Sequence, residues 1–390
     1  MALPRAPVLA CHSPAAWWTK PCPAGVLSLP FLRSVSSGRA ALWHAIRLAR
    51  EARDALSGSA TAGVLVPTYH PRTLIAPVIA QGLRADFYPL TASGLPDVGA
   101  LDAYARLDTC ALVLPHFFGA GRSFASVRKW CTTRGIALIE DCAHALQGHA
   151  GERPVGHWGD YATASLSKFS PAPEAGLLGS AEHRLPRLAL QGAPWRDEAK
   201  VLKNAVDYWL LAREAEDSLS GLLQRTEAGV VPLPPLEPDP VSTLAEALQD
   251  GRLGQVHQHA AWSARLLARE AGSAAAAARR RQHFATYAAA LTPLAALRCP
   301  VPVSADGAPY VYPVWFPTDA MGDTAYRALR GAGAAVFRWD QRWPQTPNIE
   351  GDAGHAWSHQ LLQLACHPTL RADQVERTAA AVAALARHCL

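Results

Sequence analysis

From residue 38 onward, short continuous apolar runs alternate with stretches of helical spacing, and that alternation constrains the fold more than any other feature of the chain. Residues 40–56 carry apolar side chains at helical spacing. Residues 63–66 form an apolar run closed by Pro67. Residues 74–82 return to helical spacing and stop at a glycine, and 85–90 are strand-like. Residues 111–117 are again a continuous apolar run. Ser123 caps a predicted helix that reaches Arg134 and is closed by Gly135. Residues 136–139 and 161–166 are predicted strands, with Leu177 and Leu178 in another. Such a sequence builds a mostly parallel sheet with helices on both faces. Ligands of such sheets gather at the carboxyl ends of the strands.

Two charged positions sit at such ends. The run 136–139 stops in Glu140 and Asp141, and the run 161–166 leads into Lys168. A strand-end aspartate and a later post-strand lysine are what a pyridoxal phosphate (PLP) site needs. The lysine would hold the aldehyde as a Schiff base. The aspartate would keep the pyridine nitrogen protonated, so that the ring accepts carbanion electrons. Taken singly, each residue has a blander reading: helix cap or loop anchor for the aspartate, surface charge for the lysine. The other lysines, Lys20, Lys129, Lys200 and Lys203, follow no strand end in an equivalent context.

With 390 residues, 49% hydrophobic and 18% charged, the chain is long and apolar enough for two buried cores. No apolar run reaches the ~20 residues of a membrane span. The first residues carry one early arginine, but proline and histidine interrupt their apolar stretch, so no secretion signal is read and a cytoplasmic protein is expected. Eight cysteines are scattered without a CxxC pair, which argues against disulfides and structural zinc. Cys142 reads as a small buried thiol or, less simply, a reactive one. The formal charge of +5 is spread out. Its densest run, 278–281 with three arginines, reads as a solvated helix face or, alternatively, a phosphate or partner contact. No basic-aromatic module for nucleic acid is present. His355 and His359, and His257 and His259, lack a third ligand at a fitting spacing, so no metal site is expected.

Residues 186–240 break the alternation. They are helical over 199–223, then run into VVPLPPLEPDP, a surface connector. A long helical stretch is predicted over 241–291. A strand at 310–316, a helix at 324–330 ended by Gly331 and an amphipathic helix at 374–390 follow. The division this predicts is a large cofactor-binding domain over 1–240, with an N-terminal segment and the variable connector 186–240, and a small C-terminal α+β domain over 241–390.

Five pieces, in order, resemble the signatures of the DegT/DnrJ/StrS family of PLP-dependent aminotransferases. They are Ser37-Gly38-Arg39-Ala40-Ala41-Leu42 (the signature has Thr where Arg39 stands), VLVPTYHPRTLIAPVIAQG, LPHFFGAG, the Glu140–Ala145 motif, and Gly159 to Gly176. The tail LLQLACHPTLRADQVERTAAAV is similar to the family's closing strand and helix. The resemblance implies fold type I of the PLP-dependent transferases, which is aspartate-aminotransferase-like α/β, with a large mixed, mostly parallel sheet domain. It also implies a homodimer with active sites at the interface, a small-molecule amino donor such as glutamate, and a keto acceptor on a (nucleotide-)sugar or other biosynthetic intermediate. By position, Lys168 resembles the Schiff-base lysine and Asp141 the pyridinium partner. Ser165, Gly38 and Arg39 resemble the cofactor-phosphate ligands. His144 stands where Gln is usual, near the ring; the alternative is a histidine bonded into the core. An aromatic that stacks on the ring is expected after the second strand, where Tyr69 and His70 lie, although an ungapped count puts Pro71 there. Core packing is the other reading of Tyr69.

Three departures are visible. The Ser165–Lys168 segment is two residues shorter than in the commonest members. The usual acidic-Gly-Gly is Glu174-Ala175-Gly176. The Gly-x-Asn-x-Arg motif that reaches the neighbouring subunit is replaced by residues 195–225. A PLP-dependent dehydratase and a non-catalytic regulatory relative are the alternative functions. Retention of Lys168 argues against the first, and the unusual 186–240 region keeps the second open.

Overall fold

The computed structural model describes residues 24–57, 63–211, 218–227, 231, 233–234, 243–251, 253–301 and 305–388. The N-terminal segment with Cys11, Lys20 and Cys22, most of the proline-rich run, and Cys389 lie outside the described residues. The first part of the chain contains β1 (Phe31–Val35), α1 (Gly38–Ser57), β2 (Gly63–Pro67), α2 (Arg72–Ile79), β3 (Arg84–Tyr88), β4 (Thr109–Pro115), α3 (Ala125–Arg134), β5 (Ala137–Asp141), β6 (His149–Ala150), β7 (Arg153–Pro154), β8 (Tyr161–Ser165) and β9 (Gly176–Ser180). Then come α4 (Trp195–Leu211), α5 (Ser218–Glu227), α6 (Leu244–Asp250), α7 (Trp262–Leu267), α8 (Ala274–Leu291), β10 (Val311–Trp315), α9 (Asp319–Gly331), β11 (Val336–Phe337), α10 (Ala353–Gln360), β12 (Leu361–Ala365) and α11 (Ala372–His388).

Seven strands form one sheet in the order β1-β9-β8-β5-β4-β2-β3. β3, β2, β4, β5 and β8 pair in parallel. β9 runs antiparallel between β8 and β1. Every residue of β2 and β4 is buried, as expected of strands covered on both faces. One face is covered by α1 and α2, through Ala45, Ile46, Leu74 and Val78. The other is covered by Val127, Trp130 and Cys131 of α3 with the segments around Phe117 and Trp158. Gly135, at φ 62°, closes α3 as the sequence predicts. Strand β1 escapes the sequence reading because its five residues, FLRSV, mix polar with apolar and only Val35 is buried.

A smaller antiparallel sheet, β10-β12-β11, carries a second core with α5, α8, α9 and α11. The packing does not change hands at residue 241. Ala247, Val256, Ala260, Ala264 and Ala271 join the cores of the large sheet, whereas Leu222 of α5 joins the second core. The single helical stretch expected over 241–291 is three helices, broken at Gly251 and again before α8, where Gly272 takes φ 96°. No helix among the described residues is long and apolar enough to cross a membrane.

One close approach sets the geometry of the site. The turn from β1 into α1 crosses the start of β9 so tightly that a Cβ on Gly176 would lie 2.1 Å from the Ser37 carbonyl oxygen and 2.7 Å from Gly38 N. Of the acidic-Gly-Gly signature, the last glycine is therefore the one this backbone requires. It lets the first turn of α1 sit beside the carboxyl end of β8. Gly176→Ala should lower unfolding free energy by about 3 kcal/mol, because backbone rather than a pliable side chain meets the new methyl. Chemical denaturation checks this, and wild-type stability in the variant would contradict it.

Candidate active site

The carboxyl ends of β4, β5 and β8 and the first turn of α1 converge on a cavity of about 160 Å³. Its wall includes Gly38 and Arg39 from α1, His116 after β4, Asp141 and His144 from the end of β5, and Ser165, Ser167 and Lys168 from the end of β8. Pro71, Phe117, Glu174 and Trp339 complete it. Six of the residues singled out from sequence therefore meet in one place: Gly38, Arg39, Asp141, His144, Ser165 and Lys168.

Strand alternation sends neighbouring acids to opposite destinations. Glu140 is fully buried, and its carboxylate accepts from His116 Nε2 at 2.7 Å and from the backbone N–H groups of Gly156, Trp158 and Gly159 at 2.7, 2.8 and 3.1 Å. Burial works against that charge, but His116 and the backbone donors prevail and hold the carboxyl below its ordinary range. Asp141 instead opens onto the cavity. Its Oδ1 accepts from Ala143 N at 3.0 Å and from Thr163 Oγ1, on the adjacent strand, at 3.4 Å. Burial raises its pKa, while the Ala143 N–H, the Lys168 charge and the Thr163 hydroxyl work the other way.

Lys168 ends a short turn, Leu166–Lys168, and lies deep in the cleft with part of its surface open to the cavity. Desolvation pulls its pKa down to about 8; Asp141 opposes that shift and Arg39 adds to it. The Nζ atom lies 5.2 Å from the Tyr310 ring centre. Tyr310 stacks on His144 with centroids 4.5 Å apart, and Trp339 lies 5.0 Å from His144. Burial, helped by the Lys168 charge, holds His144 neutral. Tyr310 is seated by the turn after β4: its N–H donates to Phe118 O, Phe118 adopts φ 65°, and a Cβ on Gly119 would lie 2.5 Å from Tyr310 N.

At the other end of the cavity Gly38 opens α1 with its backbone pressed on Ser165; an added Cβ would lie 2.9 Å from Ser165 Cβ. The Ser165 and Ser167 hydroxyls are 3.1 Å apart. Arg39 donates to Glu174 at 3.1 Å, and its Nε is buried without a hydrogen-bond partner. Helix start, two hydroxyls and a guanidinium make this a donor-rich end suited to an anion.

Tyr69 and His70 are corrected by the structure: neither lines the cavity. Tyr69 is sealed among Phe117, Trp339 and Trp357, and its hydroxyl accepts from Gln363 at 3.0 Å. His70 donates from Nδ1 to Pro67 O at 2.8 Å, and its Nε2 accepts from Trp343 N at 3.2 Å. Burial lowers the His70 pKa to about 4. Pro71, the position given by the ungapped count, is the one on the wall. The sequence reading gave no role to His116, Phe117, Ser167, Tyr310 or Trp339. His116 and Phe117 lie inside the quoted LPHFFGAG signature, so a signal was there; Trp339 and Tyr310 arrive from more than 140 residues away with none. His116, Glu140 and Cys142 form a buried cluster of metal-ligating types. Their atoms are committed elsewhere, since Glu140 takes four hydrogen bonds and His116 Nδ1 accepts from Arg122 N. Burial pushes the Cys142 thiol well above its ordinary range, as fits an inert core residue.

The sheet order, the crossover helices and a cleft at the strand ends define a fold type I transferase architecture. PseC of Helicobacter pylori, an aminotransferase involved in the biosynthesis of pseudoaminic acid, shares this fold at TM-score 0.63 and 14% identity, over 98% of this chain and 99% of that one. Residues 31–172 match the model of the DegT/DnrJ/EryC1/StrS aminotransferase family. GDP-perosamine synthase of Vibrio cholerae is 28% identical over 161 residues, which is 40% of this chain and 42% of that protein. L-glutamine:2-deoxy-scyllo-inosose aminotransferase of Streptomyces kanamyceticus is 31% identical over 128 residues, or 31% of this chain and 30% of that protein. The matched stretch spans less than half the length of these curated relatives.

In cofactor-free protein, the rate of acylation of Lys168 should rise about tenfold per pH unit and level off near pH 8. Asp141→Asn removes a charge that favours the ammonium form, so the midpoint should move down. Arg39→Gln removes one that disfavours it, so the midpoint should move up. Mass spectrometry of the labelled peptide reads both shifts; a wild-type midpoint at the ordinary lysine value of 10.5 would contradict the geometry.

Proposed function

We propose that this chain is a PLP-dependent aminotransferase that moves an amino group, from glutamate or a similar donor, to a keto group of a sugar or related biosynthetic intermediate. What supports the reading is that a lysine, an acid and a helix start suited to an anion line one cavity at the strand ends, all within the segment that matches the aminotransferase family model. When bound, PLP supplies a carbonyl that captures amines and a ring that takes up electrons.

The residues present fit that group. Gly38 N–H, Ser165, Ser167 and the unpartnered Nε–H of Arg39 would receive its phosphate. Asp141 would face the pyridine nitrogen and keep a proton there. Neutral His144, held between Tyr310 and Trp339, would flank the ring. Lys168 would hold the aldehyde and, once displaced by a donor amine, carry a proton to or from the substrate carbon as base and acid. A pKa of about 8 suits both duties. Roughly one lysine in ten is then neutral at pH 7, against roughly one in 3,000 at the ordinary value.

A second copy of the chain is part of this reading. Trp195 and Trp262 are 74% and 64% exposed on α4 and α7, beside a polar recess that shares Pro173 and Glu174 with the cleft. Large exposed aromatics of that kind favour an interface.

Protein supplied with PLP should turn yellow. Glutamate should bleach the colour and release 2-oxoglutarate in an amount equal to the sites, and Lys168→Ala should do neither. Colour without 2-oxoglutarate would favour the dehydratase alternative. Absence of colour in the wild type would leave only a non-catalytic relative.

A further inference from the structure

We infer that Arg280 is a positioning residue for Lys168, an inference that rests on the proposed role of that lysine. Arg280 belongs to the triple-arginine run read from sequence as a solvated helix face. It lies instead in the interior, 1% exposed, on α8 of the second core. Its Nη2 donates to the backbone oxygen of Lys168 at 2.8 Å. Its Nη1 lies 3.5 Å from the carbonyl oxygens of Pro309 and Tyr310. The guanidinium centre sits 5.0 Å from the Phe169 ring and 5.9 Å from the Tyr310 ring.

The other two arginines of the run behave differently. Arg279 and Arg281 reach the backbone oxygens of Leu370 and Gly307 and stay nearer the surface. Burying a cation is costly unless its donors are satisfied. Arg280 spends its planar fork on carbonyls from two separate segments, a geometry that a lysine ammonium does not reproduce. The first of those carbonyls ends the one-turn helix Leu166–Lys168, where a last carbonyl lacks a partner inside its own helix. The other segment carries Tyr310, whose ring lies against Lys168 Nζ and His144. One side chain from the second core thus fixes both the backbone from which Nζ extends and the ring along which it lies. A displacement of about 1 Å at such a position costs on the order of 100-fold in rate.

The test reads Lys168 itself rather than turnover. Full-length wild type, Arg280→Met and Arg280→Lys are mixed with saturating PLP and reduced with borohydride at timed intervals. The pyridoxyl label is then counted by mass spectrometry at Lys168 and at exposed Lys129 and Lys203. Labelling of Lys168 should slow about tenfold or more in Arg280→Met and by a smaller factor in Arg280→Lys, with the control lysines unchanged. Wild-type labelling of Lys168 in Arg280→Met would overturn the inference and leave the cofactor reading intact. If Arg280→Met unfolds, seen as Lys168 labelling at the rate of Lys129, Arg280→Lys decides: a slowing of about threefold or more supports the clamp and a wild-type rate overturns it. A wild-type protein that takes no label at Lys168 overturns both this inference and the function on which it rests.

Discussion

Two opposite charges held in a cleft that solvates neither well are the constraint around which this molecule is arranged. Burial drives the Asp141 carboxyl up and the Lys168 ammonium down, and each charge is the other's partial remedy. Such a pair persists only where the backbone leaves no alternative. Here β5 and β8 are neighbours in the sheet, with Asp141 registered opposite Thr163. One residue earlier Glu140 is locked by four hydrogen bonds, so the strand cannot slide and exchange the two acids. A site that holds a partly neutral lysine beside an acid is chemically poised, and its poise comes from desolvation as much as from any single contact.

Much of the large sheet was legible in the sequence because its central strands are short, largely apolar runs, with β2, β4 and β5 closed by proline or an acid. That pattern carried β2, β4, β5, β8 and the helices between them to within a few residues. It failed for β1, whose polar edge residues give no period. It also failed over 241–291, where alanine-rich spacing reads as one helix although glycines at 251 and 272 break it. The latter failure shifts where the second core begins, because packing partners rather than local propensity decide which sheet a helix joins.

The site divided along the same line. Residues at strand ends or a helix start could be named from sequence alone: Asp141, Lys168, Ser165, Gly38 and Arg39 share one cavity. The aromatic surroundings could not. Tyr69 and His70 stand at the right distance along the chain but are drawn inward by Gln363 and by Trp343. Trp339, which lines the cleft, and Tyr310, which packs on Lys168 and His144, come from far along the chain, beyond any local pattern. The triple-arginine run is a further instance: composition suggested solvent, whereas three-dimensional placement put its middle residue against the backbone of Lys168.

The most direct measurement is the ¹⁵N NMR signal of the pyridine nitrogen in ¹⁵N-labelled PLP bound to the protein. The account predicts a protonated ring nitrogen in the wild type and an unprotonated one in Asp141→Ala. An unprotonated nitrogen in the wild type, or one indifferent to the loss of Asp141, would contradict it.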